Sequence, residues 1–319
     1  MSVYAGRPDL QNAFDARTYQ AKPNSAAGFL IDLEDWAEQY GWSEYPEQLG
    51  EYRPVDLPPK EITHSAPPVV SSTSYIVIDR NSRKILSASN ANQSWPIASL
   101  TKLATATVIS NEHIDQSQWQ FIGPQDDVGG AKLYVGSGDS FHVSDLMYAM
   151  LVGSANNAAV AISHSTGLDK DLFVGKMNEL AGSLNLSRTV FADQSGMDTR
   201  NVSTAREVAR IAEVAFEEDA IRRCTSTSVR YITGSSGAKK KMTNTNWMLY
   251  SREYDDVYVL SGKTGYLDES GWNFVVSIRP QWQAKQKELL IVTLGSSSRA
   301  QSFQDANKLA DWIWQSYTW

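Results

Sequence analysis

What most restricts the fold is a change of hydrophobic period along the chain. Tyr75–Asp79 (Tyr-Ile-Val-Ile-Asp) is β-branched and apolar, and a polar turn at Arg80–Arg83 separates it from Lys84–Ser89, a pattern that reads as an antiparallel hairpin. The spacing then becomes helical. Helices are expected over Ile97–Ser110, over Asp145–Leu151 with Ser144 as N-cap, and over Asn157–Ser163 after a break at 153–156. Two more follow over Leu172–Leu184 and Ala205–Phe216, the second opened by a Thr204…Glu207 capping box. A short strand-like unit near Lys132–Val135 is bounded by glycines. From about Tyr258 the period returns to that of strands, at Val257–Leu260, Asn273–Ile278 and Leu289–Leu294, and a helix around Ala306–Trp314 closes the chain. Strands at both ends and helices between them predict an α+β fold. Its antiparallel sheet joins the first and last parts of the domain, and the helices pack on it.

Residues 1–70 differ from the rest. They are polar, with one amphipathic stretch at 28–40, and Pro54, Pro58, Pro59, Pro67 and Pro68 make 52–70 extended. The expected division is an N-terminal extension and Pro-rich linker over 1–70 and one domain over 71–319. A formal net charge of −7 argues against a general nucleic-acid binder. The single Cys224 excludes an intrachain disulfide, and His64, His113, His142 and His164 lack metal-ligand spacing, so no metal or other cofactor is expected. No stretch is apolar enough to span a bilayer, and the first residues lack the pattern of an export signal. Ten Trp and fourteen Tyr are many for this length, and suggest core anchors first and a sugar- or peptide-stacking surface second.

Three short motifs carry the chemistry. Ser99 and Lys102 are three apart, so a helix places both on one face. That suits a nucleophile and its base, although an N-cap Ser with a snorkelling Lys fits the same four residues. Ser154-Ala155-Asn156 lies on a short loop between helices, where a hydroxyl and a carboxamide can relay a proton and hold an amide. It is also a plain helix-ending turn. Lys263-Thr264-Gly265 lies on a strand, where Lys and Thr can hold a carboxylate and Gly lets a substrate backbone lie close. An ordinary edge strand with a charge would look alike. Each motif is weak alone. Their order, Ser-x-x-Lys, Ser-x-Asn and Lys-Thr-Gly, is the signature shared by penicillin-binding proteins and class A β-lactamases, here with Ala155 in place of the usual Asp.

From about Ser74 onward the chain resembles the low-molecular-mass penicillin-binding proteins, serine D-alanyl-D-alanine peptidases of the S11 type. The resemblance rests on Pro96–Leu103, on Asp145–Ala159, on 173–178, 201–205 and 243–246, and on Gly262-Lys263-Thr264-Gly265-Tyr266. It implies an α+β fold of the β-lactamase/transpeptidase kind: an antiparallel sheet flanked by helices, with a mostly helical subdomain. It also implies that Ser99 is acylated, with Lys102 as its base, deprotonated in a buried cationic neighbourhood to which Lys263 contributes. Ser154 would pass the proton to the leaving amine, and Asn156 would bind the substrate amide. Lys263 and Thr264 would bind the terminal carboxylate beside Gly265, and the N–H groups of Ser99 and Tyr266 would form the oxyanion hole. The implied partners are peptidoglycan stem peptides as substrate and β-lactams as inhibitors, with no nucleic acid and at most peripheral membrane contact. The implied location is the periplasm or another extracytoplasmic part of the envelope.

Leu267 stands where many relatives have Thr, and Ile97 replaces a common Ala. The chain stops soon after the last helix, so the second, all-β domain and the amphipathic anchor of many relatives are expected to be missing. Trp312, Trp314 and Trp319 are assigned to packing of that helix. The alternatives are a β-lactamase, a serine esterase or amidase on the same scaffold, and a non-catalytic peptidoglycan-binding protein. The Glu-x-x-x-Asn element that supplies the deacylating base of class A β-lactamases has no match between the second and third motifs.

Overall fold

The computed structural model describes residues 58–319. The stretch expected as a helix at 28–40, and residues 52–57 of the Pro-rich segment, lie outside the described residues. The central sheet has five antiparallel strands: β1 (Ser74–Asp79), β2 (Ile85–Ser89), β3 (Tyr258–Leu267), β4 (Gly271–Arg279) and β5 (Leu289–Ser296), in the order β3-β4-β5-β1-β2. β5 joins the two ends of the chain, with Ile291 opposite Val276 on β4 and Val77 on β1. β3, which carries Lys263, is an edge strand.

The helices are α1 (Thr101–Asn111), α2 (Val143–Leu151), α3 (Asn156–His164), α4 (Lys170–Ser183), α5 (Ala205–Glu217), α6 (Asp219–Ser226) and α7 (Arg299–Ser316). The period of two along the strands divides the core. Ile76, Val275, Leu290 and Val292 pack with residues of α1 to α6, whereas Tyr75, Val77, Phe274, Val276 and Ile291 pack against Phe303, Leu309 and Ile313 of α7. Helix α1 runs through the middle of the larger cluster, and every residue from Thr101 to Ile109 is buried. Its lack of a polar face is what buries Lys102. Truncating fully buried Leu103 to Ala would cost about 2–5 kcal/mol.

Several local expectations change. Helix α2 starts at Val143 behind His142, with no side-chain cap, so Ser144 lies inside its first turn. Lys132–Val135 is not a strand: the Asn157 carboxamide takes both backbone groups of Leu133, at 2.9 and 2.8 Å, in place of a neighbouring strand. The strands of this region are Trp119–Ile122 and Asp139–His142, which pair with each other. A hairpin over Val229–Thr233 and Lys239–Thr243 had no counterpart in the sequence reading. Thr204 caps α5 by accepting from Glu207 N at 3.1 Å, but the Glu207 carboxylate accepts from Arg188 N and Thr189 Oγ1 and does not return to the cap. Upstream of β1, Lys60–Glu61 pair with Thr318 and Tyr317, and Lys84 Nζ donates to Pro59 O at 2.8 Å. Trp312, Trp314 and Trp319 pack on the α7 side of the sheet, and their indole N–H groups donate to Ser65 Oγ, Lys287 O and Asp79 Oδ1.

Candidate active site

Ser99 sits in a single 3-10 turn, Ala98–Leu100, immediately before α1. The turn is held from both sides. Asn273 of β4 donates to Pro96 O at 2.9 Å, and Ile97 N donates to Asn201 O at 3.0 Å. Ala98 has φ +48°, a left-handed conformation that costs about 1–3 kcal/mol for a residue with a Cβ. Two glycines close on it. At Gly196 the place of a Cβ is taken by Ala98 O, and at Gly265 it lies 2.9 Å from Ile97 O and 3.1 Å from Ser99 N. Gly265 therefore brings the strand backbone against the Ser99 turn.

Lys102 Nζ lies 2.9 Å from Ser99 Oγ and 2.6 Å from Asn156 Oδ1, and it donates to Ser195 O. Burial lowers its pKa to about 7, against the opposing pull of Asp193. The contacts suit the neutral amine. Asn156 Oδ1 and Ser195 O are obligatory acceptors and take its two N–H groups. The lone pair is left to receive the Ser99 hydroxyl proton.

On the opposite wall, Lys263 Nζ donates to Ser154 Oγ at 2.9 Å and to Thr264 O at 2.8 Å. Its pKa is held well below the usual lysine value by burial, then by Lys102 and Arg299. Burial is the first cause of lowering at both lysines, and the repulsion between Lys263 and Lys102 disfavours charging both at once. Ser154 is 6% exposed and has φ +57°. Asn156 opens α3, and its Nδ2 donates to Gly129 O at 2.8 Å. One N–H and one lone pair of its carboxamide remain for a ligand. Thr264 Oγ1 donates to Thr245 Oγ1 at 2.6 Å. The three motifs come together through these bonds and through the packing of Gly265 on the Ser99 turn.

Two features escaped the sequence reading. The loop 193–198 supplies the Ser195 carbonyl to Lys102. It is shaped by the Asp193 carboxylate, which accepts from Ser195 N and Gly196 N at 2.6 Å each. Arg299, at the start of α7, donates to Thr245 O at 2.9 Å, and its guanidinium lies 4.6 Å from the Trp247 ring and 5.9 Å from the Trp272 ring. The sequence signal for Asp193 is an Asx turn in Asp-Gln-Ser-Gly. For Arg299 there is none beyond the Ser298 cap.

Residues 60–298 match the peptidase S11 family, D-alanyl-D-alanine carboxypeptidase. The chain belongs to this family. The match begins upstream of Ser74, the start of the resemblance visible in the sequence motifs. A D-alanyl-D-alanine endopeptidase of Haemophilus influenzae is 29% identical over 236 residues, 73% of this chain and 79% of that protein. The D-alanyl-D-alanine carboxypeptidase DacF of Bacillus subtilis is 25% identical over 81% of this chain and 64% of its own length. The crystal structure of the Streptomyces K15 DD-transpeptidase superposes with a TM-score of 0.72 at 22% identity, covering 79% of this chain and all of that one, so the two share a fold. With the family comes the activity: the chain is a serine DD-peptidase of peptidoglycan.

Proposed function

We propose that this DD-peptidase works through an acyl-enzyme on Ser99 and that its preferred substrate is a cross-link, cut as an endopeptidase. The observation that carries the first part is the Ser99–Lys102 pair, at 2.9 Å, with the other two neighbours of Lys102 Nζ both carbonyl oxygens. Neutral Lys102 takes the Ser99 proton as Oγ attacks the D-alanyl carbonyl carbon. The oxyanion forms toward the N–H groups of Ser99 and Tyr266. The C–N bond then breaks, and the proton reaches the leaving amine through Ser154 Oγ. Water later hydrolyses the ester and Ser99 regains its proton. Asn156 holds the donor amide, and Lys263 and Thr264 hold the carboxylate of the leaving residue.

What supports the second part is the pattern of relatives. The endopeptidases of Haemophilus influenzae, Escherichia coli and Pseudomonas aeruginosa match over 77–80% of their lengths. Such a substrate lies outside the cytoplasmic membrane, so the site of action is extracytoplasmic. No helix among the described residues is long and apolar enough to cross a membrane. β-Lactams, which present a strained amide and a carboxylate in the same arrangement, acylate Ser99. Labelling by a fluorescent penicillin tests the assignment: Ser99→Ala abolishes it, and labelling that survives in this variant refutes Ser99 as nucleophile.

A further inference from the structure

Beside the carboxylate-binding end of the cleft lies an aromatic ledge that neither the core nor the reaction explains. Tyr266 follows Lys263-Thr264-Gly265 on β3 and is 45% exposed. Its ring stacks on Trp272, its partner across the β3–β4 pair, with centroids 4.3 Å apart and planes at 28°. Trp272 lies in turn near the guanidinium of Arg299, which sits between it and Trp247. Tyr250, 47% exposed, donates from its hydroxyl to Asn244 O at 3.1 Å. Arg299 is half-buried, and among the described residues no carboxylate lies within salt-bridge distance of it. Thr245, whose carbonyl accepts from Arg299, accepts the Thr264 hydroxyl through its own. Thr264, Thr245, Arg299, Trp272 and Tyr266 thus form one continuous surface.

A packing role does not account for it. A cross-strand aromatic pair is worth about 0.2–1 kcal/mol at a sheet edge, and that needs neither an exposed Tyr nor an Arg without a counter-charge. Flat aromatic faces beside an unpaired guanidinium recognise a peptide that carries a carboxylate. In the cleft, Asn156 marks the donor side and Thr264 the leaving side. What crosses Thr264 and continues over the ledge is the part of the substrate that leaves.

The geometry points to Trp272 and Tyr266 as specificity-determining residues that hold the second stem peptide, on the amine side of the scissile cross-link, with the C-terminal carboxylate of that stem, distinct from the one held by Lys263 and Thr264, at Arg299. This rests on the endopeptidase reading above. A free terminal D-alanine ends at the carboxylate and does not reach the ledge. A cross-linked strand lies along it.

The test compares two purified substrates, a cross-linked muropeptide dimer and a monomeric pentapeptide muropeptide, with the wild type and the Trp272→Ala, Trp272→Phe and Tyr266→Leu variants. Circular dichroism and thermal melting confirm that each variant is folded. The expected result is a loss of kcat/KM in Trp272→Ala at least about tenfold larger for the dimer than for the monomer. It is carried by KM, repeated in direction by Tyr266→Leu and largely recovered by Trp272→Phe. If the wild type cleaves the dimer and both substrates fall in parallel, the ledge assignment is wrong and the endopeptidase reading stands. If the wild type cleaves the monomer and spares the dimer, the endopeptidase reading falls and the ledge assignment with it.

Discussion

The burial of Lys102 sets a pH dependence that can be worked out in advance. The base must be neutral to take the Ser99 proton, and its pKa lies at about 7, lowered by burial. The second-order rate of acylation by penicillin should therefore be half its plateau near pH 7 and fall about tenfold per unit below that. At pH 5.5 about 3% of Lys102 is neutral, so the rate should be about thirtyfold below the plateau. The penicillin carboxylate stays ionised across this range, so the acid limb belongs to the protein. Lys263, assigned to the ligand carboxylate, has its own pKa held down by burial, then by Lys102 and Arg299. Two lysines coupled in this way titrate as a pair, and the acid limb reports the pair. The assay is stopped-flow or gel-based labelling with a fluorescent penicillin between pH 5 and 9, with folding checked at each pH by circular dichroism. A rate that stays flat from pH 5.5 to 7.5 would refute neutral Lys102 as the base.

Two substitutions probe the parts the sequence left obscure. Gly265→Ala places a Cβ 2.9 Å from Ile97 O and 3.1 Å from Ser99 N, so strand and turn must separate. The expected outcome is at least about a hundredfold slower acylation, the cost of moving a nucleophile by about 1 Å, at a stability loss of about 1–3 kcal/mol in thermal melting; acylation within threefold of wild type would contradict it. Asp193→Asn removes the one negative charge that raises the Lys102 pKa, so the acid limb of the acylation profile should move to lower pH. A limb that stays in place or moves upward would show that Asp193 acts through the loop alone.

The sheet was legible because its strands keep a strict period of two between two cores. Ile76 faces the helices while Tyr75 and Val77 face α7, and a short, continuously apolar segment announces a strand covered on both faces. Lys132–Val135 misled because its glycine flanks imitate strand boundaries, while its backbone is satisfied by the side chain of Asn157. No propensity rule sees that substitution. The reactive side chains were legible for a different reason: Ser99, Lys102, Ser154, Asn156, Lys263 and Thr264 act through functional groups, which restricts residue type. Ser195 acts through its carbonyl oxygen, a group that every residue carries, so nothing in its identity marks it. Arg299 reaches the site only because β5 runs between β4 and β1 and delivers the start of α7 to Thr245, a consequence of sheet order.

The cost of the site explains where it is built. Lowering Lys102 from 10.5 to about 7 means that its folded environment disfavours the ammonium by about 5 kcal/mol. Because the folded value lies below that of the unfolded chain, the deficit is full below pH 7 and fades as pH rises toward 10.5. Ala98 and Ser154, both at positive φ, add strain within the same few residues. A chain of ordinary stability, about 5–15 kcal/mol in total, can carry such a sum only if the surroundings hold the strained residues without slack. That is what α1 supplies. It is buried from Thr101 to Ile109, and the turn that leads into it is clamped by Asn201, Asn273, Gly196 and Gly265. The same burial that makes α1 rigid also makes the lysine a base at neutral pH. In this fold a surface helix, with water on one face, would lose both properties together.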